Sequence, residues 1–253
     1  MSTRVEAAPE AKGLERALLI TFVVAALVNL GVQALGSSGL SPVLLTWLNR
    51  LSKPVLVPAL AGLFFVRARD REVHVHRGWL YAALLGCWGG DIALMFNQFL
   101  PGMGSFALAH VLFVLGYTKS LSARALLRPA TLLFVLPIVA YGYLIYPTLV
   151  LSLTADEADL VLPLAVYMVV LLANGTTCLF RTLQGLPGAP HVLVGAVLFI
   201  LSDSLIAMNR FVHALPGADF ALMLTYIVGV YWMVQGCLLP LTAEALLHGR
   251  TDG

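Results

Sequence analysis

Two aspartates lie inside apolar runs of the chain, where a membrane segment would surround them with hydrocarbon. Asp203 lies in a run that begins near His191, and Asp91 lies in an earlier run. In both places an asparagine follows six residues after the aspartate and a phenylalanine follows eight residues after it. An ionisable residue within a membrane span is costly and marks a substrate or proton pathway. The pair therefore indicates either acid–base catalysis or proton-coupled transport inside a membrane.

The composition predicts a polytopic membrane protein. The chain is 60% hydrophobic and 11% charged, with a mean hydropathy of +0.91, whereas a soluble domain carries about 25% charged residues. A net charge of +2 without a basic run argues against a nucleic-acid partner. Cys87, Cys178 and Cys237 all fall in apolar runs without CxxC spacing, so we expect reduced packing residues and neither a disulfide framework nor a zinc site.

The apolar runs predict an all-α bundle of eight transmembrane helices, since a span needs roughly 20 apolar residues. The connections are short and rich in glycine and proline, as in Leu100-Pro101-Gly102 and Leu215-Pro216-Gly217. We expect one membrane domain over 14–247, a flexible cytoplasmic tail over 1–13 and a C-terminal tail over 248–253. The predicted spans are 15–35, 42–66, 78–98, 104–124, 129–149, 160–183, 190–212 and 218–246.

The distribution of basic residues predicts the orientation. Of the 15 lysines and arginines, all but Arg50, Lys53 and Arg210 fall on the side of the N-terminus if eight spans alternate. Both termini are therefore expected in the cytoplasm. Asp91 and Asp203 would lie on the third and seventh helices, which run in the same direction and suggest two parallel four-helix repeats. The alternative is that short apolar phrases recur by chance.

Lys53 lies in the middle of the second predicted span, directly before Pro54. A lysine at that depth must pair with an acid or face water. The alternative is that the helix begins only after Pro54 and that Lys53 extends to the membrane interface.

Further polar side chains fall inside the predicted spans. Taken singly, each is more often an interhelical hydrogen-bond partner than a catalyst, but together near the aspartates they would line a polar cavity. No GxSxG motif surrounds Ser202, and no second histidine stands at metal-ligand spacing from His110, so we expect no serine nucleophile, metal or cofactor. The further polar side chains inside the predicted spans are His110, Tyr141, Tyr167, Asn174, Ser202, Tyr231 and Gln235.

The order and spacing of these phrases resemble the YhhN-like lysoplasmalogenases, a family of eight-helix membrane proteins. The charged segment from Arg67 to Arg77 is a departure from the family pattern, and we expect it to lie on the cytoplasmic side without affecting the core. The matching residues are Lys53-Pro54, Gly90-Asp91, Leu94-Met95, Phe106, His110, Gly195-Ala196, Phe199, Ser202-Asp203, Asn209, Phe211, Tyr231 and Gln235.

The resemblance implies hydrolysis of the vinyl ether bond of a lysoplasmalogen, with an ethanolamine or choline head group, to a fatty aldehyde and a glycerophospho-base. It also implies that Asp91 and Asp203 form the catalytic pair. Two carboxyl groups can divide the roles of acid and base as they do at glycosidic bonds, and burial beside a like charge favours one neutral and one ionised member. The sequence does not say which aspartate has which role; our hypothesis is that Asp203 is the acid and Asp91 the cation stabiliser and base, and the position of Lys53 would decide.

The resemblance further implies a lysophospholipid substrate and a multi-pass location in the cell membrane, the inner membrane of a bacterium. His110, Tyr231 and Gln235 are candidates for orienting water or the glycerol oxygens. Asn97, Asn209 and Arg210 are candidates for the head group.

Three other classes of protein remain open at this stage. A proton-coupled transporter would use the same pair of carboxylates. A metal-dependent, ceramidase-like hydrolase would need clustered histidines, which the sequence lacks. A non-catalytic scaffold would tolerate asparagine in place of either aspartate.

Overall fold

The computed structural model describes residues 9–36, 39–69, 73–119, 121–122 and 133–239. Within these ranges the chain is all-helical, without a β-strand, which confirms the predicted fold class. A 3₁₀ helix, Ala155–Leu160, directly precedes the α-helix Val161–Leu183. The described ranges contain eight α-helices: α1 Pro9–Ala34, α2 Pro42–Ala68, α3 Arg77–Met95, α4 Phe99–Tyr117, α5 Leu136–Ser152, α6 Val161–Leu183, α7 Ala189–Phe211 and α8 Ala218–Gly236.

Six helical segments of the described chain are long and apolar enough to cross a membrane. These are α1 from Glu10, α2, α4, the segment Ala155–Leu183, α7 and α8. Helix α5 is shorter, at 17 residues, and α3 is not among the six. Large apolar side chains such as Leu151 and Phe65 are exposed on the outside of the bundle, as expected where lipid is the solvent. The chain is a multi-pass membrane protein; the count of eight spans stays a prediction.

Several helix boundaries differ from the predicted ones. Helix α1 begins at Pro9, inside the expected tail, and α8 ends at Gly236. Helix α4 begins at Phe99, so Leu100-Pro101-Gly102 forms its first turn and not a loop. Proline is tolerated there because the first helical N–H groups have no partner within the helix. The predicted C-terminal tail and the whole of the predicted connection between the fourth and fifth spans, residues 125–128, lie outside the described residues.

The two copies of the aspartate phrase adopt different local structures. Asp91 lies 14 residues after the start of α3 at Arg77, and Asp203 lies 14 residues after the start of α7 at Ala189. Helix α3 then ends at Met95, and Asn97 has a positive φ of 58° in the turn to α4. Helix α7 instead continues through Asn209 to Phe211. Both aspartates therefore lie at the same distance from the start of their helices. The four-helix repeat stays a prediction.

Helix α2 runs without interruption through Pro54 and Pro58. Pro58 has no N–H to offer the carbonyl of Pro54, four residues earlier, and this carbonyl accepts a hydrogen bond of 2.9 Å from Nε1 of Trp88 on α3. The interaction joins α2 to α3 one turn from Asp91. The alternative that the helix begins only after Pro54 is wrong, and Lys53 lies within the helix with a side chain that is 12% exposed.

Small residues allow the helices around the aspartates to approach closely. A Cβ atom at Gly90 would lie 2.5 Å from the ring of Phe106, and one at Gly229 would lie 2.9 Å from the carbonyl oxygen of Gly195. Such glycine contacts are typical of packing between helices in membranes. They bring α3 against α4 and α7 against α8, which fixes the backbone on both sides of the site described below.

The segment between α2 and α3 takes part in the core, contrary to the expectation for the charged insert. Val73 and Val75 are 3% and 1% exposed and pack in the main hydrophobic cluster. Arg181, predicted as one of the cytoplasmic charges, is fully buried, and its Nη1 donates to the carbonyl oxygens of His74, Tyr117 and Lys119. The buried guanidinium thereby fastens this segment to the end of α4.

Candidate active site

Asp91 on α3 is buried, with 2% of its surface exposed. The hydroxyl of Tyr226 on α8 donates a hydrogen bond of 2.6 Å to its Oδ2. The ammonium of Lys53 on α2 lies 3.5 Å from its Oδ1. A cation and a hydrogen-bond donor both favour the ionised carboxylate, so this arrangement is suited to a base or to stabilising a positive charge.

Asp203 on α7 is also buried, but its partners differ. Nε2 of His110 lies 3.0 Å from its Oδ2, and the hydroxyl of Tyr167 donates to the same oxygen at 2.7 Å. Both interactions use one carboxyl oxygen, and Oδ1, for which the described part of the chain gives no hydrogen-bond partner, is available to carry a proton. In the protonated state, Oδ2 would be the carbonyl oxygen that accepts both hydrogen bonds.

A line of polar groups sets the tautomer of His110. Nδ2 of Asn174 lies 3.1 Å from Nδ1 of His110, and the thiol of Cys178 contacts Oδ1 of the same asparagine at 3.8 Å. With Nδ2 as the donor, Nδ1 of the imidazole accepts and Nε2 carries the hydrogen that is donated to Asp203. His110 and Asn174 are both fully buried, so the ring cannot exchange these partners for solvent.

An aromatic cluster connects the two aspartates. The ring of Phe199 lies 4.7 Å from that of His110 and 5.4 Å from that of Tyr226, measured between centroids. Phe106 packs edge-on against both Phe199 and Tyr226, at 6.0 and 5.9 Å. One side of this cluster therefore reaches the group that holds Asp203, and the other side reaches the group that holds Asp91.

An apolar pocket leads to Asp203. Its empty space is about 560 Å³, including the part open to the outside, and its wall is formed by residues of α3 to α7. Asp203, Ser204 and Tyr167 are the polar members of a wall otherwise made of side chains such as Leu149, Leu164 and Leu171. Asp91 is not among the residues of the wall, whereas Phe106, whose ring packs against Gly90 next to Asp91, is one of them. The pocket suits one hydrocarbon chain whose polar end meets the carboxyl of Asp203.

Comparison with known proteins decides the family. The sequence profile of the YhhN family matches residues 48–237. The chain belongs to the YhhN family.

Named relatives of this YhhN member are lysoplasmalogenases. Lysoplasmalogenase TMEM86B of Homo sapiens is 36% identical over 183 residues, which cover 72% of each chain. The protein of the same name from Sus scrofa is 33% identical over 187 residues, 72% of this chain and 71% of the other. A lysoplasmalogenase of Mycobacterium bovis is 30% identical over 172 residues, 65% and 62% of the two chains. No solved structure matches the chain.

Most of the residues singled out in the sequence surround the aspartates in this YhhN protein. Lys53, His110, Tyr167 and Asn174 are in the contacts already given. The hydroxyl of Tyr141 forms a hydrogen bond with Ser204, a neighbour of Asp203 on the pocket wall. Arg210 is exposed, and its guanidinium lies 4.2 Å from the ring centroid of Phe99, another residue of the wall.

Four predicted residues lie elsewhere. The hydroxyl of Ser202 donates to the carbonyl of Leu222 and joins α7 to α8. Oδ1 of Asn209 accepts from the backbone N–H of Leu215 and so holds the loop after α7. The ring of Tyr231 stacks on Phe22 of α1 at 5.7 Å, and Gln235 accepts a hydrogen bond of 2.5 Å from Arg67. Tyr231 and Gln235 therefore face Phe22 of α1 and Arg67 of α2, and among the described residues neither side chain is a hydrogen-bond or ion-pair partner of Asp91 or Asp203.

Tyr226 is the residue that the sequence reasoning missed. It is 4% exposed and its hydroxyl contacts Asp91 directly. A tyrosine inside an apolar span was the pattern that selected Tyr141 and Tyr167, and Tyr226 fits the same pattern. The distance along the chain gave no reason to pair it with Asp91, 135 residues earlier.

Proposed function

We propose that this protein hydrolyses the vinyl ether bond of a lysoplasmalogen, releasing a fatty aldehyde and a glycerophospho-base. The observation that carries the proposal is a buried carboxyl with an uncommitted oxygen on the wall of an apolar pocket, Asp203. The names and similarity of the YhhN relatives support it. A single-chain lipid offers one hydrocarbon tail to fill the pocket and one reactive bond at its polar end.

The first step is protonation of the substrate by Asp203. Oδ1 of Asp203 transfers its proton to the β-carbon of the vinyl ether, and the π electrons form the new C–H bond. The α-carbon and ether oxygen become an oxocarbenium ion, and Asp203 becomes a carboxylate. His110 and Tyr167 then donate to a full negative charge, and charge-assisted hydrogen bonds are the stronger kind. Their role is to stabilise the conjugate base of the acid.

The second step uses Asp91, which Lys53 and Tyr226 keep ionised. Asp91 accepts a proton from a water molecule as the oxygen of that water bonds to the oxocarbenium carbon, giving a hemiacetal. Asp91 returns the proton to the glycerol oxygen as the C–O bond breaks, and Asp203 takes the hydroxyl proton as the aldehyde forms. Both carboxyl groups regain their starting states, and one water is consumed. The scheme requires the pocket to extend past the ring of Phe106 when substrate is bound.

The head group is proposed to lie at the end of the pocket near Arg210. The guanidinium is exposed beside Phe99 of the pocket wall, so it is free to bind a phosphate in the bidentate geometry that arginine favours. We place the protein in the cell membrane, the inner membrane of a bacterium, with eight spans and both termini in the cytoplasm. The excess of basic residues on one side supports that orientation.

The deciding experiment measures aldehyde release from lysoplasmenylethanolamine by purified protein in detergent and in liposomes. We expect turnover by the unmodified protein and its loss in both Asp91→Asn and Asp203→Asn, since each variant removes an acid–base group worth about 10²-fold or more. Asp219→Asn is the matched control, because Asp219 is exposed in the first turn of α8. Substantial turnover in either test variant would disprove the two-aspartate mechanism.

Proton-coupled transport is the other outcome that this experiment can reveal. Movement of a lipid or small molecule across proteoliposomes, together with no aldehyde from folded protein, would replace the hydrolase proposal. The buried Lys53–Asp91 pair is compatible with a carrier as well. Aldehyde release and transport should therefore be measured on the same preparation of proteoliposomes.

A further inference from the structure

A group of polar side chains lies between α1 and α2. Nδ2 of Asn29 lies 2.9 Å from Oδ1 of Asn49 and 3.2 Å from Oγ of Ser52. Nε2 of Gln33 lies 3.5 Å from the same oxygen of Asn49. Helix α1 lies outside the range matched by the YhhN family, and the reaction scheme above assigns no role to Asn29, Gln33, Asn49 or Ser52.

Asn29 has an unsatisfied acceptor at the centre of this group. The residue is fully buried, and its Oδ1 has no hydrogen-bond partner among the residues that the structure describes. Buried polar atoms that lack a protein partner commonly bind water, because a lost hydrogen bond is costly in an apolar interior. The amide oxygen of Asn29 is therefore the acceptor in this group that a water molecule would satisfy.

The polar group leads from the turn between α1 and α2 towards Asp91. Gln33 and Asn49 are half-buried and lie nearer the turn, whereas Asn29 and Ser52 are buried further in. Asn49 and Lys53 are four residues apart, so they lie one above the other on the same face of α2. Lys53 is the next polar residue along that face, and its ammonium contacts Asp91.

The apolar pocket described above reaches the candidate active site from another side. Among the described residues its wall has none of α1 or α2, and it includes Asp203 but not Asp91. A hydrolase needs a water molecule as well as a lipid, and an alkyl chain that fills the pocket would exclude water from that route. The polar group between α1 and α2 offers a separate route to the other carboxyl group.

We propose that Gln33, Asn49, Asn29 and Ser52 form a water path from the α1–α2 turn to Lys53 and Asp91. As a supply route for the hydrolytic water, this inference rests on the proposed function. The existence of the path does not depend on the proposed function. The path makes Asp91 the carboxylate that receives water. It also explains how water and the lipid reach the site by different routes. The competing interpretation is that these residues are only hydrogen-bonded contacts between two helices.

Hydroxyl radicals test the path with a probe the size of water. X-ray radiolysis of protein in detergent forms the radicals from water molecules, and mass spectrometry then measures thiol oxidation in Ser52→Cys and Ser202→Cys. The two serines are a matched pair, since they are 6% and 1% exposed and both lie inside helices. Because thiol oxidation follows access, we expect the thiol in Ser52→Cys to oxidise about tenfold faster than that in Ser202→Cys. Equal rates would overturn the path, and the unmodified protein gives the background from Cys87, Cys178 and Cys237.

Blocking variants test whether the path supplies the reaction. Asn29→Leu should slow oxidation of Ser52→Cys and lower kcat for aldehyde release about tenfold, with KM unchanged because the lipid pocket is intact. Asn49→Leu, at a half-buried position, tests the same prediction if Asn29→Leu does not fold. Unchanged kcat in a folded blocking variant would overturn the role of the path in supplying water. Absence of aldehyde from the unmodified protein would count against the hydrolase, while the oxidation rates would still decide the path.

Discussion

The ammonium of Lys53 lies 3.5 Å from Oδ1 of Asp91, which makes an ion pair between α2 and α3 inside the bundle. Among the described residues, no lysine or arginine forms an ion pair with Asp203, and its hydrogen-bond partners are His110 and Tyr167. The two carboxyl groups are therefore in electrostatically different surroundings. This difference supports the proposal that Asp91 is the ionised member and Asp203 the acid.

Lys53→Met should abolish most of the turnover. Without its counter-ion, the buried carboxyl of Asp91 favours the neutral form and loses its function as a base, which costs about 10²-fold in kcat. Arg50→Met is the control, because Arg50 is exposed on the same helix over Trp47 and Phe96. Adding Asp91→Asn to Lys53→Met should recover thermal stability without recovering turnover, and an active double variant would contradict the assignment.

Tyr226→Phe should lower kcat about 10-fold to 100-fold, because a hydrogen bond to a charged group contributes about 1.5–3 kcal/mol. Tyr117→Phe removes a buried hydroxyl that donates to the carbonyl of Met233, so it should cost only about 1 kcal/mol of stability. Steady-state kinetics and thermal unfolding of both variants separate the two effects. Equal kcat values in the two variants would show that the hydroxyl of Tyr226 has no special role.

His110→Leu should lower kcat about 10²-fold, since the conjugate base of Asp203 loses its donor. His110→Gln should retain more activity than His110→Leu, because a side-chain amide can also donate to the carboxylate. His191→Leu serves as the control, as His191 stacks on Trp232 in the same bundle at 4.9 Å. The prediction fails if glutamine and leucine at position 110 give the same rate.

Arg210→Ala should raise KM about tenfold and leave kcat nearly unchanged, as expected when a charge-assisted phosphate contact is lost. Arg50→Ala removes a guanidinium that likewise lies over aromatic rings but is not next to the pocket wall. Kinetics on substrates with ethanolamine and choline head groups provide the measurement. An unchanged KM would argue against phosphate binding at Arg210.

Gly229→Ala should destabilise the bundle by about 1–3 kcal/mol, the usual cost of overpacking. The new Cβ atom would lie 2.9 Å from the carbonyl oxygen of Gly195 and 3.0 Å from the backbone nitrogen of Phe199. Backbone atoms, unlike a side chain, cannot relieve such a contact by changing rotamer. Gly104→Ala is the control, because its Cβ atom would have no neighbour within 4 Å and alanine favours a helix. Thermal unfolding in detergent should rank Gly104→Ala above the unmodified protein and Gly229→Ala below it.

Much of the candidate site could be predicted from the sequence because ionisable groups in apolar spans are costly. That cost singled out Asp91, Asp203 and Lys53, and it required Lys53 to find a partner or water. The same reasoning selected His110 and Asn174, which the structure places in one line of hydrogen bonds to Asp203. The all-helical fold and the membrane class followed from composition and from the length of the apolar runs.

Only the tertiary structure decided which polar residues meet. Tyr226 and Tyr231 lie in the same helix, yet Tyr226 contacts Asp91 and Tyr231 stacks on Phe22. The side to which a residue points depends on the rotation of its helix about its own axis, and packing against several neighbours sets that rotation. An apolar span carries little amphipathic pattern from which to read it, because lipid and protein core are equally apolar. The sequence by itself therefore determined which residues had to be buried and hydrogen-bonded, and the packing of α2, α3, α4, α6, α7 and α8 determined the partner of each.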